Sequence, residues 1–214
     1  MPEDHPSWHR EILPENWTRA ADDLGGRSAF EGFYLAGGTA LALYFGHRRS
    51  LDLDLFREDG FESADRRDRL RDLEGLRKLE LARGTAHLEL HGVKVSFLHY
   101  PYPLLFPVAR FGHITVADPR EIACMKVDVI GSRGARRDFV DLYVAAQRYG
   151  LREIFEWFTA KYASVPYSRT HLLKALTYFN DAEQEPMPDM LVTVDWTDIT
   201  RFFLSQVPRL ARLS

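Results

Sequence analysis

The chain has 214 residues, 45% of them hydrophobic, enough to bury a core and to exclude disorder over most of its length. Its 28 lysines and arginines stand against 31 acids, a formal net charge of −3, so it is no polycation and any nucleic-acid contact must come from a local basic patch. The one cysteine, Cys124, excludes an internal disulfide and fits a reducing cytoplasm, no apolar run reaches the ~20 residues that cross a membrane, and the opening MPEDHPSWHRE lacks the apolar stretch of a secretory signal.

In chain order, Met1–Pro14 is a polar, proline-containing lead-in. From Pro14 or Glu15 to about Leu24 the spacing of Trp17, Ala20, Ala21 and Leu24 predicts a helix, weakened by Gly25 and Gly26, with a second helical turn between Arg27 and Gly32. Phe33–Ala36 is a short apolar run, which Gly37, Gly38 and Thr39 break to open a second helix, Ala40–Phe45. After Gly46 and a basic turn, His47–Ser50, the stretch Leu51–Phe56 alternates. Leu51, Leu53 and Leu55 take one face and Asp52 and Asp54 the other, the pattern of a half-buried strand.

That unit carries chemistry. A helix start offers unpaired N–H groups and a positive dipole end, two glycines admit a phosphate to the backbone, and Thr39 adds a hydroxyl at a capping position. Residues two apart on a strand are about 6.6 Å apart and point the same way. Two carboxylates so placed repel unless a cation neutralises them, and Mg²⁺ favours carboxylate together with phosphate oxygens. The expectation is a site for a nucleoside triphosphate (NTP) and its Mg²⁺, with Mn²⁺ as a substitute, held by Asp52 and Asp54.

Ser63–Leu76 interleaves arginines and aspartates above Leu70, Leu73 and Leu76. The aspartates cancel the charge, which favours a solvated helix face over a nucleic-acid patch. Strands are predicted at Leu79–Arg83, Ala86–Leu90, Val93–Leu98 and Phe111–Val116. His87, Glu89 and His91 alternate on the second of these, read as the wet face of an antiparallel strand in preference to a zinc site. Tyr100–Pro107 is an irregular apolar loop, packed on the sheet or forming part of a base-binding wall.

Asp118 and Pro119 open a helix to about Ser132, with Ile122, Met125, Val129 and Ile130 as its stripe. Lys126 lies beside that stripe, either as a snorkelling stem or as a cation for triphosphate oxygens. A basic turn with Arg133, Arg136 and Arg137 leads to a helix on which Asp138 and Asp141 share a face. Asp138 answers the helix dipole, and Asp141 is a partner for Lys126 or Arg133, or a catalytic group. Helical patterns follow at Leu151–Tyr162, His171–Asn180 and Trp196–Leu213, the last with a docking stripe of Ile199, Phe202, Phe203 and Val207.

Gly-Gly-Thr followed at this distance by Asp-Leu-Asp resembles the signature of the DNA polymerase beta-like nucleotidyltransferase superfamily, and Lys126–Tyr143, KVDVIGSRGARRDFVDLY, resembles the AbiEii/AbiGii toxin nucleotidyltransferases. The resemblance runs from about Phe33 to Tyr149. It implies an α/β (α+β) fold: a mixed sheet with helices over residues 1–118, a helical domain over 119–214, and an active site in the cleft between them. It further implies transfer of a nucleotide from an NTP to RNA, tRNA first, by the toxin of a bacterial toxin–antitoxin or phage-defence pair with a cognate antitoxin partner. Gly37, Gly38 and Thr39 would hold the triphosphate, Lys126 would neutralise it, and Arg133 and Arg137 would bind acceptor or triphosphate; Arg48, Arg49, Arg133 and Arg136 are expected to grip acceptor phosphates. In the superfamily a third carboxylate stands on a neighbouring strand. Val93–Leu98 carries none, only Lys94 and Ser96 on its polar face; the resemblance to the AbiEii-like branch implies that the later RDFVDLY segment serves instead, with Asp138 or Asp141 as the substitute, ahead of Glu89. A nucleotide-binding partner protein with little catalysis, and nucleotidylation of a protein or small molecule, are the other readings.

Overall fold

The computed structural model describes residues 6–25, 30–61, 70 and 73–212. These gather into two compact units. The first runs to Phe45, then from Arg49 to Pro103 and from Pro107 to Asp118. The second takes Gly46–Arg48, Leu104–Phe106 and the chain from Pro119 onward. The arginine-rich stretch between residues 62 and 72 lies almost wholly outside the described residues, as does most of the turn expected near Arg27.

The first unit is a mixed sheet with helices. Its strands are β1 (Tyr34–Leu35), β2 (Leu53–Arg57), β3 (Leu76–Ala82), β4 (Thr85–Leu90), β5 (Val93–His99), β6 (Ala109–Phe111) and β7 (Ile114–Val116), in the order β3-β4-β5-β2-β1-β7-β6. β2 is the middle strand, parallel to β5 and antiparallel to β1, and β1 is parallel to β7. One face of the sheet is apolar: Leu53 and Leu55, Val95 and Phe97, and Ala86, Leu88 and Leu90 are buried. Helix α1 (Glu15–Gly25) turns Trp17, Ala20, Ala21 and Leu24 inward, with Trp17 edge-to-face on Phe111, and Phe30 stacks on Phe97 at 4.9 Å. Helix α2 (Gly37–Phe45) buries Ala40, Leu41, Ala42 and Leu43 on every side, as a helix apolar all round must.

Three strand expectations change. β3 begins at Leu76, assigned by pattern to the end of the preceding helix, and not at Leu79. Pairing in β2 begins at Leu53, and Leu51 is 53% exposed, so the alternation read from Leu51 runs two residues ahead of the strand. Phe111–Val116 is not one strand but a hairpin, because Gly112 at φ +56° turns the chain and pairs Phe111 with Ile114.

The second unit is helical: α3 (Pro119–Ser132), α4 (Arg136–Tyr149), α5 (Leu151–Lys161), α6 (Arg169–Ala175), α7 (Asn180–Glu183) and α8 (Trp196–Ala211). The pattern read as one helix over His171–Asn180 is instead two short ones, since α6 ends at Ala175 and α7 starts at Asn180. Phe139 of α4 collects Phe179, Trp196 and Phe203 edge-to-face, which makes it the centre of the helical core; of the expected stripe of α8, Ile199, Phe203 and Val207 are buried and Phe202 is half-buried, with Leu210 buried in addition. Leu104–Phe106 of the proline-rich loop belongs to this unit, where Phe106 meets Trp157 and lies under Arg120. Cys124 is fully buried in α3, and burial pushes its thiol up to about 12, so it is a packing residue and not a nucleophile.

An ion pair lies in this core. Lys161 of α5 meets Glu121 of α3, both fully buried, and the Leu105 N–H donates to the other Glu121 oxygen at 2.8 Å. Removing one partner leaves an uncompensated buried charge, whereas replacing both with apolar groups does not. Lys161→Met alone should lower the stability of the helical unit by about 3–5 kcal/mol, and Glu121→Leu with Lys161→Met should recover most of it, read as denaturant midpoints.

Candidate functional site

The polar residues singled out by sequence fall into two groups, one in each unit. In the first unit the loop from α2 returns to β2 directly under the start of the helix. Thr39 is 2% exposed, its hydroxyl donates to the Asp52 carbonyl at 2.6 Å, and it lies 2.9 Å from the Ser50 hydroxyl. Its side chain therefore fastens the strand to the helix, and what it presents at the helix start is its backbone N–H.

Gly37 opens α2 at φ +72°, a conformation that L side chains rarely adopt. A Cβ at this position would meet Asp54 Oδ2 at 3.3 Å. The carboxylate of the central strand therefore lies on the bare backbone of the first helical residue. Asp54 is half-buried within β2, and Asp52 is exposed one residue ahead of the paired stretch. The first unit thus brings the Asp54 carboxylate and the main chain of Asp52 to the helix start formed by Gly37, Gly38 and Thr39.

Two carboxylates suit a hard divalent ion that keeps most of its coordination for water and phosphate oxygens. Among the described residues no group of three or more His, Cys, Asp or Glu could hold a metal ion, which is the donor set of a closed zinc site. His91 is instead tied to Asp23 at 2.6 Å and His87 to Ser96 at 3.1 Å.

In the second unit Lys126, Asp138 and Asp141 form one network. Lys126 Nζ is 2.7 Å from Asp138 Oδ1 and 2.7 Å from Asp141 Oδ2. Arg48 grips both oxygens of Asp141, at 2.7 and 2.9 Å, and His47 Nε2 meets Oδ1 at 2.8 Å. All five side chains are buried. Burial opposes the charge on Asp141, but the cations Lys126 and Arg48 outweigh it and hold the carboxyl well below its usual range. Burial likewise opposes the charge on Lys126, and Asp141 and Asp138 reverse that and raise it.

Sequence reasoning named Lys126, Asp138 and Asp141 but missed His47 and Arg48 as their partners, reading them as a basic turn. Arg48 and Arg136 are not disposed to grip acceptor phosphates. Arg48 is 4% exposed on Asp141, and Arg136 donates to the Ala182 and Glu183 carbonyls and lies over Trp196. Arg49, Arg133 and Arg137 are exposed, and Arg133 reaches Asp138 only at 3.8 Å.

Residues 21–104 match the model of the family described as nucleotidyl transferase AbiEii toxin, type IV toxin–antitoxin system. An uncharacterized protein of Aquifex aeolicus (strain VF5) is 36% identical over 181 residues, 82% of this chain and 86% of that protein. Among solved structures, the nucleotidyltransferase toxin MenT4 of Mycobacterium tuberculosis H37Rv is similar with a TM-score of 0.57 at 16% identity, over 94% of this chain and 91% of that one. A candidate nucleotidyltransferase from H. pylori is similar with a TM-score of 0.51 at 16% identity, over 93% of this chain and 96% of that one. At that identity the likeness speaks to the fold, which is the nucleotidyltransferase fold.

The depressed Asp141 carboxyl sets a pH dependence. Its contribution to stability is full above the ordinary aspartate value of about 3.9 and is lost as pH falls through its lower folded value. Acid titration of the unfolding free energy should therefore fall through this range in the wild type, with a smaller slope in Asp141→Asn. At neutral pH Asp141→Ala, which strands Lys126 and Arg48, should cost about 3–5 kcal/mol. An unchanged melting temperature in that variant would show that the network carries no stability.

Proposed function

The chain belongs to the AbiEii nucleotidyl transferase toxin family and is a nucleotidyltransferase, and we propose that it moves a nucleotide from an NTP onto RNA, with tRNA the foremost acceptor. In this reading it is a toxin whose activity arrests growth, in phage defence among other settings, until a cognate antitoxin opposes it. The observation that carries the proposal is the Asp54 carboxylate lying against Gly37 at the start of α2.

The backbone N–H groups of Gly37, Gly38 and Thr39 receive the triphosphate, since the first N–H groups of a helix have no partner within it and the dipole favours an anion there. The positive φ and missing side chain of Gly37 leave room for a phosphate oxygen beside Asp54. Asp52 and Asp54 hold Mg²⁺, or Mn²⁺, and fit it because both offer the hard oxygen donors such an ion prefers. Bound there, the ion supplies Lewis acidity toward the α-phosphate.

In the second unit Lys126 draws Asp138 and Asp141 of α4 to α3 and so fixes the turn that presents Arg133 and Arg137. Those two exposed arginines bind phosphate, of the triphosphate or of the acceptor. Lys126 itself shares its charge with two carboxylates, which makes it a brace for the arginines first and a triphosphate ligand only in so far as it leaves them. Asp141, with its proton affinity suppressed by Lys126 and Arg48, is ill-suited to act as the general base.

Purified protein incubated with α-labelled NTPs, Mg²⁺ and total RNA tests the reading. Label should enter RNA, and Asp52→Asn or Asp54→Asn should cut transfer by about 100-fold or more while melting stays at or above the wild-type temperature. Label appearing on a protein or small molecule instead, or undiminished turnover in both variants, would overturn it. If Arg133 and Arg137 bind acceptor phosphates, replacing both with Ser should flatten the log–log salt dependence of RNA binding by about 0.7 in slope for each phosphate no longer neutralised.

A further inference from the structure

A polar line crosses the first unit from the carboxylate outward. β2 and β5 run parallel with Asp54 opposite Ser96, β5 and β4 are antiparallel with Ser96 opposite His87, and β4 and β3 are antiparallel with His87 opposite Glu80. Residues directly opposite each other on neighbouring strands point to the same face, so Asp54, Ser96, His87 and Glu80 form one row. On one side the next row of that face, Phe56, Leu98, Thr85 and Ala82, carries no ionisable group, and on the other Glu89 is opposite Lys94. The side chains of the row are joined where it matters: His87 Nδ1 lies 3.1 Å from Ser96 Oγ. A groove of about 240 Å³ opens along this face, lined by Glu80, His87, Glu89, Lys94 and Ser96.

Nucleotidyl transfer needs an outlet for one proton. The acceptor oxygen forms a bond to the α-phosphorus, the bond from that phosphorus to the bridging oxygen of the β-phosphate breaks, and pyrophosphate leaves with the electron pair. The proton of the acceptor hydroxyl must go elsewhere. Asp141 and Asp138 are charge-paired in the other unit, and Asp52 and Asp54 are the carboxylates assigned to the metal. Ser96 is the hydroxyl beside Asp54, one strand spacing of about 4.8 Å away, and histidine is the side chain that ordinarily takes up a proton near neutral pH.

We propose that the acceptor enters along the β3–β5 groove and that Ser96 and His87 carry its proton away. Ser96 Oγ takes the hydroxyl proton as its own proton passes to His87 Nδ1, in the tautomer that bears hydrogen on Nε2. The exposed imidazolium then releases the Nε2 proton to water. Ser96 touches the acceptor, and His87 acts through it. Among the described side chains, the charged groups facing His87 are Glu80 from β3, Glu89 from its own strand and Lys94 from β5, with Asp54 beyond Ser96.

This inference rests on the nucleotidyl-transfer reading, and the test separates the two. Single-turnover transfer from α-labelled NTP to total RNA is measured from about pH 5 to pH 9. The proteins compared are wild type, His87→Gln, Ser96→Ala, the double variant and Asp54→Asn. All substituted positions are exposed or half-buried, and melting curves check that each variant is folded. The expected result is a rate loss of about 100-fold in His87→Gln and Ser96→Ala, no further loss in the double variant, an unchanged KM for the NTP, and disappearance of the acid limb of the pH profile. Wild-type rate and profile in folded His87→Gln would overturn the relay while loss in Asp54→Asn leaves the transfer reading standing. A raised acceptor KM with the acid limb intact would also overturn it, by reducing the row to a binding surface. Undiminished transfer in Asp54→Asn would mean that the transfer reading itself had failed.

Discussion

The first unit depends on one close approach, the Asp54 carboxylate against the backbone of Gly37. It requires a residue without a side chain at the start of α2, a backbone at positive φ, and a central strand that brings a carboxylate to that point. The pairing partners of β2 on both sides fix its register, and with it the face on which Asp54 lies, since a slip of one residue would turn the carboxylate into the apolar layer with Leu53 and Leu55. Thr39 secures the same junction from below by bonding the main chain at Asp52. The positive end of the helix dipole and the Asp54 carboxylate therefore meet at this point.

The second unit is held by charges placed where water is absent. Two networks, Glu121 with Lys161 and Asp138–Lys126–Asp141–Arg48 with His47, lie within the helical core. In each, oppositely charged groups are matched and bonded, which is the condition under which a buried ion pair is tolerated. Such pairs add little net stability compared with apolar packing, but they fix which helix faces meet. The same arrangement accounts for the suppressed proton affinity of Asp141. A carboxylate that accepts from a guanidinium, an ammonium and an imidazole acts as an anchor, and proton traffic falls to groups with weaker attachments, such as the exposed His87 and half-buried Ser96.

Much of this was legible in the sequence because the signals were local. The helix from Pro119 to Ser132, the break at Gly37, the alternation through Leu53 and Leu55, and the stripe of Ile199, Phe203 and Val207 each follow from periodicity, a fixed φ or a missing Cβ within a few residues. The first strand residue of β2 was misplaced, since Leu51 continues the alternation without having a partner to pair with, and hydrogen bonding to neighbours, not pattern, decides where a strand begins. The hairpin at Gly112 was missed for a related reason: a run of residues suited to strands does not reveal that its two halves pair with each other.

The sequence by itself determined the residue types of the site: a Gly-Gly-Thr helix start, two nearby carboxylates, and a lysine one helix ahead of an aspartate pair. Tertiary structure decided which of them touch. His47 and Arg48 reach Asp141 from more than ninety positions earlier in the chain, and no local spacing encodes that. Ser96 stands beside Asp54, and His87 beside Ser96, only because β2, β5 and β4 pair in one register. Register is a property of the assembled sheet, set jointly by every buried residue on its apolar face, and so the polar line that begins at Asp54 exists only once the sheet has formed.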